Sequence, residues 1–175
     1  MKLNSGVRIS IVAAALVAAT MACGSGDTST PTAQPTLAGE QKLPSLGTVH
    51  IANGTTHSAY NSKPATSGPH YAGWAQWGVH DEVLPDEVLV HNLEHGGGGI
   101  HYNCPDSCPT VVTALDQFAI DYDKVIVSPY PGMEKRFALT AWTYIDSFDD
   151  YDAARIEAFI KKHMNSPEAP EPLVR

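Results

Sequence analysis

The sequence predicts a single α+β domain, a small antiparallel or mixed sheet with two helices on one face and a long loop rich in proline, glycine and aromatic residues. Three observations carry that expectation. Hydrophobic spacing from residue 88 onward follows the order strand, strand, helix, strand, strand, helix. Tyr60 to Leu84 ("YNSKPATSGPHYAGWAQWGVHDEVL") has no such spacing, and a long irregular segment of this kind is more often a functional loop than filler. The foldable part, 48–167, is on the order of 120 residues, enough for one core and not for two.

Lys2 and Arg8 form a basic start ahead of the apolar run from Ile9 to Ala22. At about fourteen residues that run is short for a membrane span, which needs roughly twenty, and it reads as a secretory signal over 1–22. Ala22 before Cys23, with Gly24, Ser25 and Gly26 after it, resembles a bacterial lipoprotein signal, although Thr20 stands where leucine is usual. The resemblance implies that Cys23 becomes the lipidated N-terminus; the alternative is an ordinary secreted protein. Residues 23–47, rich in Gly, Ser, Thr and Pro, cannot offset their ordering entropy by burial and are expected to be a flexible tether. The predicted location is extracytoplasmic, on the bacterial membrane through the lipid anchor.

Val88 to Asn92 ("VLVHN") and Ile100 to Asn103 ("IHYN") are expected as strands of a hairpin, because the four glycines of "LEHGGGG" between them oppose a stable helix. Pro109 to Tyr122 carries Val112, Leu115, Phe118 and Ala119 at amphipathic helical spacing, with proline near the first turn. Val125 to Val127 and Phe137 to Ile145 follow as strands. Tyr151 to Met164 closes the domain as a helix, with Ile156, Phe159 and Ile160 on one face, and 168–175 is a C-terminal tail.

Charge excludes one class of partner. The chain has 11 lysines and arginines against 19 aspartates and glutamates, a net charge of −8. Losing Lys2 and Arg8 with the signal takes it to about −10, and such a surface repels the phosphates of nucleic acid. The glycines of "GPHYAGWAQWG" lack phosphate-binding spacing ahead of a helix, so a nucleotide is not expected either. With Cys23 lipidated, Cys104 and Cys108 remain as an even pair in an oxidising compartment, expected as a disulfide closing "CPDSC". A thiol metal site or a redox pair is the functional alternative.

The segments "KPATSGPHYAGWAQWGVHDE", "VHNLEHGGGGIHYNC", "VSPYPGM" and "FALTAW" together resemble the family known as domain of unknown function 3105, found largely in bacterial envelope proteins. The resemblance covers about 60–142. It implies that Thr66, Ser67, Gly68, His70, His91, Asn92, Glu94, His95 and Gly96 hold the family's signature positions, and it supplies no activity. The chain departs from the pattern at His80, Gly98 and Gly99.

Three readings of those positions compete. In the leading one His70, His91 and His95 are imidazole ligands of a copper or zinc ion, with Met133 and His101 as further candidate ligands, since His91 and His95 converge on either a helix or a strand. In the second, the histidines, Asn92 and Glu94 form a metal-free hydrogen-bond network, and the domain binds or scaffolds an envelope protein partner. In the third, His91-x-x-Glu94-His95 is a small zinc hydrolase's motif, with Glu94 as general base; that motif works on a helix, whereas the expected strand would turn Glu94 away. The expectation is a membrane-anchored metal-binding lipoprotein rather than an enzyme.

Overall fold

Alternating apolar residues along short strands build a sheet that is covered on both faces. The computed structural model describes residues 39–173; the signal, Cys23 and the first part of the tether lie outside the described residues. The strands are β1 (Glu40–Lys42), β2 (His50–Ile51), β3 (His70–Tyr71), β4 (Gly78–Val79), β5 (Gly98–Tyr102), β6 (Val125–Pro129), β7 (Phe137–Ala141) and β8 (Tyr144–Phe148). The helices are α1 (Asp86–Glu94), α2 (Pro109–Asp121) and α3 (Ala153–His163). The main sheet is mixed, in the order β1-β8-β7-β5-β6-β4, and β2 pairs with β3 in a separate parallel ribbon.

In β6, Val125 and Val127 join Ile100, Leu115, Phe137, Leu139, Ile156, Phe159 and Ile160 in one core cluster, under α2 and α3. Ile126, between them, points the other way and packs with Leu89, Tyr130 and Ala138 beneath α1. The helices are three rather than the expected two: α2 and α3 contribute to the first cluster and α1 to the second.

The α1 helix replaces the expected strand at Val88 to Asn92. Pro85 sits in extended conformation at its N-cap, Asp86 and Glu87 favour the positive end of its dipole, and Leu89, Val90 and Leu93 are buried along one side. That burial outweighs the strand preference of two valines. The glycines end the helix rather than forming a hairpin loop. Gly96 takes φ +74°, its N–H bonds the Leu93 carbonyl and the Gly97 N–H bonds that of Asn92, a Schellman closure. At Gly97 a Cβ would lie 2.4 Å from the Trp77 ring. The ordered strand β5 then starts directly at Gly98 and runs parallel to β6 through the crossover helix α2.

Other boundaries also shift. Phe137 to Ile145 is not one strand but a hairpin, β7 and β8, turning at Trp142 and Thr143, where Thr143 adopts φ 62°. The expected tether includes β1, whose Glu40 to Lys42 pair with Tyr144 to Asp146. Glu40 is held there by Lys162 at 2.5 Å and by His163 at 3.2 Å. The expected C-terminal tail is packed as far as it is described. Ala169 is buried, the Glu171 N–H bonds the Glu94 carbonyl, and Lys124 bridges the carbonyls of His95 and Pro172. Those contacts satisfy carbonyls that the end of α1 would otherwise leave open.

Candidate metal centre

The last turn of α1 presents His91 and Glu94 on one side, three residues apart, and the β2–β3 ribbon lies against that side. Register in the ribbon sets His50 opposite His70. One ligand atom from each of His50, His70, His91 and Glu94 falls within 4.8 Å of the other three. His70, His91 and Glu94 are buried, and the His50 side chain is 50% exposed at the rim.

Hydrogen bonds fix which nitrogens face inward. A carbonyl can only accept, so His70 Nδ1 donates to Gly68 O at 2.8 Å and His91 Nδ1 donates to Tyr71 O at 2.6 Å. A neutral ring that donates at Nδ1 keeps a bare lone pair at Nε2. The Nε2 of His70 lies 3.0 Å from Glu94 Oε2, and that of His50 lies 3.4 Å from the same oxygen. Two acceptors at 3.0 Å repel unless a cation stands between them, either a proton that makes His70 imidazolium or a metal ion. Burial pushes the His91 pKa down, and the nearby His95 and His70 act in the same direction, so His91 holds its lone pair into acid.

The predicted ligands separate into three groups. His70 and His91 belong to the cluster. His95 does not join all its members; it caps α1, and its Nε2 sits 2.8 Å from His91 Nε2 while its buried Nδ1 faces Glu171 at 3.7 Å. His101 and Met133 are elsewhere, a correction to the expected reserve ligands. His101, in β5, is fully buried between Ser128 Oγ at 3.2 Å and Thr140 Oγ1 at 2.9 Å, and burial depresses its pKa to about 3. Met133 packs into the apolar cluster around Leu89 and Tyr130.

His50 was absent from the expected set. It lies in a two-residue strand with no pattern around it, and only the pairing with His70 reveals it.

Part of the signature is structural. Asn92 clasps the long loop through both ends of its amide: Oδ1 accepts from Ala75 N and Nδ2 donates to Ala75 O, each at 2.9 Å. Ser67 Oγ accepts from Leu46 N, and Thr66 O accepts from Thr143 N. The exposed Trp74 leans over the cluster from that loop, with its ring 5.3 Å from His91 and 5.6 Å from His95. Cys104 and Cys108 form the expected disulfide, with Cα atoms 5.9 Å apart. No helix among the described residues is long and apolar enough to cross a membrane.

Neither curated proteins nor solved structures provide a match to this chain. The model of one family, described as Protein of unknown function (DUF3105), matches residues 50–175, a span that begins at His50 and takes in every member of the cluster. The chain therefore belongs to the DUF3105 family.

Proposed function

We propose that this protein binds one divalent transition-metal ion, zinc or copper(II), through His50, His70, His91 and Glu94, in an extracytoplasmic domain tethered to the membrane by lipidated Cys23. The observation that carries the reading is the orientation of His70 and His91. Each gives its Nδ1–H to a backbone carbonyl, the second contact that metal-ligating histidines characteristically make, which turns the His70 Nε2 to the buried Glu94 carboxylate at 3.0 Å and the His91 Nε2 to His95 at 2.8 Å. A tetrahedral zinc site with bonds near 2.0 Å separates its ligand atoms by roughly 3.3 Å. The contacts of Glu94 Oε2 with His70 and His50, at 3.0 and 3.4 Å, bracket that spacing.

Three imidazoles and a carboxylate, with no thiol or thioether, suit Zn²⁺ or Cu²⁺ better than Cu⁺. The helical setting restores the spacing of a His-x-x-Glu-His peptidase, but Glu94 Oε2 contacts His70 and His50, which suits a ligand's part in this reading. It does not stand beside an open position as a general base, so binding is favoured over hydrolysis. The basic start, the apolar run and the Ala22-Cys23 junction support the envelope placement, as does a disulfide, which persists in oxidising compartments.

Titration of the tag-free protein with Zn²⁺ and Cu²⁺, followed by calorimetry and by Trp74 emission, is expected to give one ion per chain. A His70→Ala/His91→Ala variant should lose that stoichiometric binding. If neither ion binds the parent more tightly than the variant, the reading fails, and the cluster is an imidazolium–carboxylate pair that locks the loop.

A further inference from the structure

We infer that the Cys104–Cys108 disulfide is a thiol–disulfide exchange site, which oxidises a dithiol substrate and is itself reduced to two cysteine thiols. This inference is independent of the histidine cluster, which lies at the other end of β5. The α1 helix delivers the cluster just before Gly98, and the disulfide follows Tyr102, so the length of the strand, roughly 13 Å, separates them.

Position in the sheet comes first. The chain leaves β5 through α2 to β6 on one side, then returns to β7 on the other side of β5. The disulfide lies just beyond the carboxyl end of β5, at the entry to α2. Asn103, just before it, is fixed to the returning loop by its side chain on Met133 O at 3.0 Å and by its N–H on Arg136 O at 2.8 Å.

Access comes second. Cys104 and Cys108 are both partly exposed, and Cys104 and Pro105 form a ridge between two open grooves of about 350 and 450 Å³. Lys135, Arg136 and Asp149 wall one groove; Val83, Pro129 and Pro131 wall the other. Cys104, the sulfur to be attacked, borders both grooves, and Cys108 borders the first alone.

Chemistry comes third. Cys108 is the N-cap of α2, where no side chain caps the first amides and the first turn carries no acidic residue. The positive end of that 13-residue helix therefore remains to stabilise a thiolate on Cys108, which makes Cys108 the better leaving group. A substrate thiolate attacks Cys104 Sγ; the S–S bond breaks, and its electron pair leaves on Cys108. The second substrate thiol then attacks the substrate sulfur of the mixed disulfide, closing the substrate's own disulfide and releasing Cys104. Two electrons and two protons pass from the dithiol to the cysteine pair. A purely structural role is weak by comparison, because the bond closes a very short loop between elements already packed in one core, where the entropic effect of a cross-link is least.

The test uses the full chain, with the Cys104–Cys108 peptide read by mass spectrometry after alkylation, so that Cys23 does not interfere. At pH 7 a reduced peptide dithiol should reduce the folded protein about tenfold faster, or more, than it reduces the same disulfide in the urea-unfolded chain. A parallel arm with glutathione distinguishes a small thiol from a polypeptide substrate. In single variants the Cys108 thiol of Cys104→Ser should alkylate several-fold faster than the Cys104 thiol of Cys108→Ser. Thr110→Asp, which adds negative charge to the first turn, should slow reduction without lowering the thermal midpoint. A folded-state rate equal to or below the unfolded rate, with both thiols reacting like free cysteine, overturns the inference.

Discussion

The lone pair on His91 Nε2 has two claimants, the His95 ring at 2.8 Å and the ion that His50, His70 and Glu94 would share. The claims separate by mutation. His95→Ala is expected to keep stoichiometric metal binding, within about tenfold of the parent affinity, whereas Glu94→Gln, which removes the only anionic donor, should weaken it more, by about tenfold to a hundredfold. Competition against a chelator of known affinity measures both. His101 makes a different prediction, about pH. Its folded pKa, about 3, lies below the ordinary value of 6.5, so the unfolded chain takes up a proton that the folded chain refuses. The stability contributed by neutral His101 is fully present above pH 6.5 and is lost as pH falls toward 3. His91 and His163 are also depressed by burial and act in the same sense. Urea denaturation should therefore show stability falling below pH 6.5 by about 1.4 kcal/mol per pH unit for the His101 share alone, and His101→Gln should flatten the slope. At this scale the sequence pointed to His91 because His-Asn-Leu-Glu-His is dense in ligand types, and to His70 through the family's signature positions, but it offered Glu94 as a general base and not as a ligand. It hid His50, whose role comes only from register with His70 across the ribbon.

Helix α1 carries the cluster, and its end is where the fold is most exposed to single changes. Gly96 adopts φ +74°, and a Cβ there would lie 3.1 Å from Pro172 Cα and 3.2 Å from Asn165 Cα, both backbone atoms. Gly96→Ala is expected to lower stability by about 2 kcal/mol and, by tilting Glu94, to weaken metal binding. Thermal denaturation with and without zinc measures both effects. The same segment shows why the element was misread. Val88 and Val90 favour strands as isolated residues, and the glycine run argues against helix continuation but not against a helix that stops before it. A helical signal was present in Leu89, Val90 and Leu93 behind Pro85, Asp86 and Glu87. The helices α2 and α3 were legible because their apolar faces are longer and uninterrupted. The turn at Trp142 and Thr143 was not, since neither residue is a usual turn former and Thr143 holds its positive φ with Oγ1 on the Trp142 carbonyl at 2.6 Å.

Across the whole molecule both ends of the described chain are built into the fold. β1 extends the sheet at one edge through Glu40, and residues 165–172 wrap the end of α1 through Asn165, Glu171 and the Lys124 bridge. Neither segment has hydrophobic periodicity, so composition assigned them to tether and tail. A chain ending at residue 167 is expected to fold with a lower thermal midpoint and to bind metal more weakly, because the Glu94 carbonyl loses the Glu171 N–H. An ion present at about a thousand times its Kd would add about 4 kcal/mol to the stability of the intact chain, so chelation should lower the midpoint in the parent and leave the His70→Ala/His91→Ala variant unmoved. The ribbon gives that linkage a further meaning. Strands β2 and β3 are two residues each, too short to hold together alone, and they lie in the stretch 50–94 that the cluster spans. An ion joining positions 50, 70, 91 and 94 divides this stretch into two closed loops, as a pair of covalent bridges would, yet it can be withdrawn. Protease cutting between Ile51 and Pro85 is then expected to slow when zinc or copper(II) is added to the purified protein and to quicken on chelation.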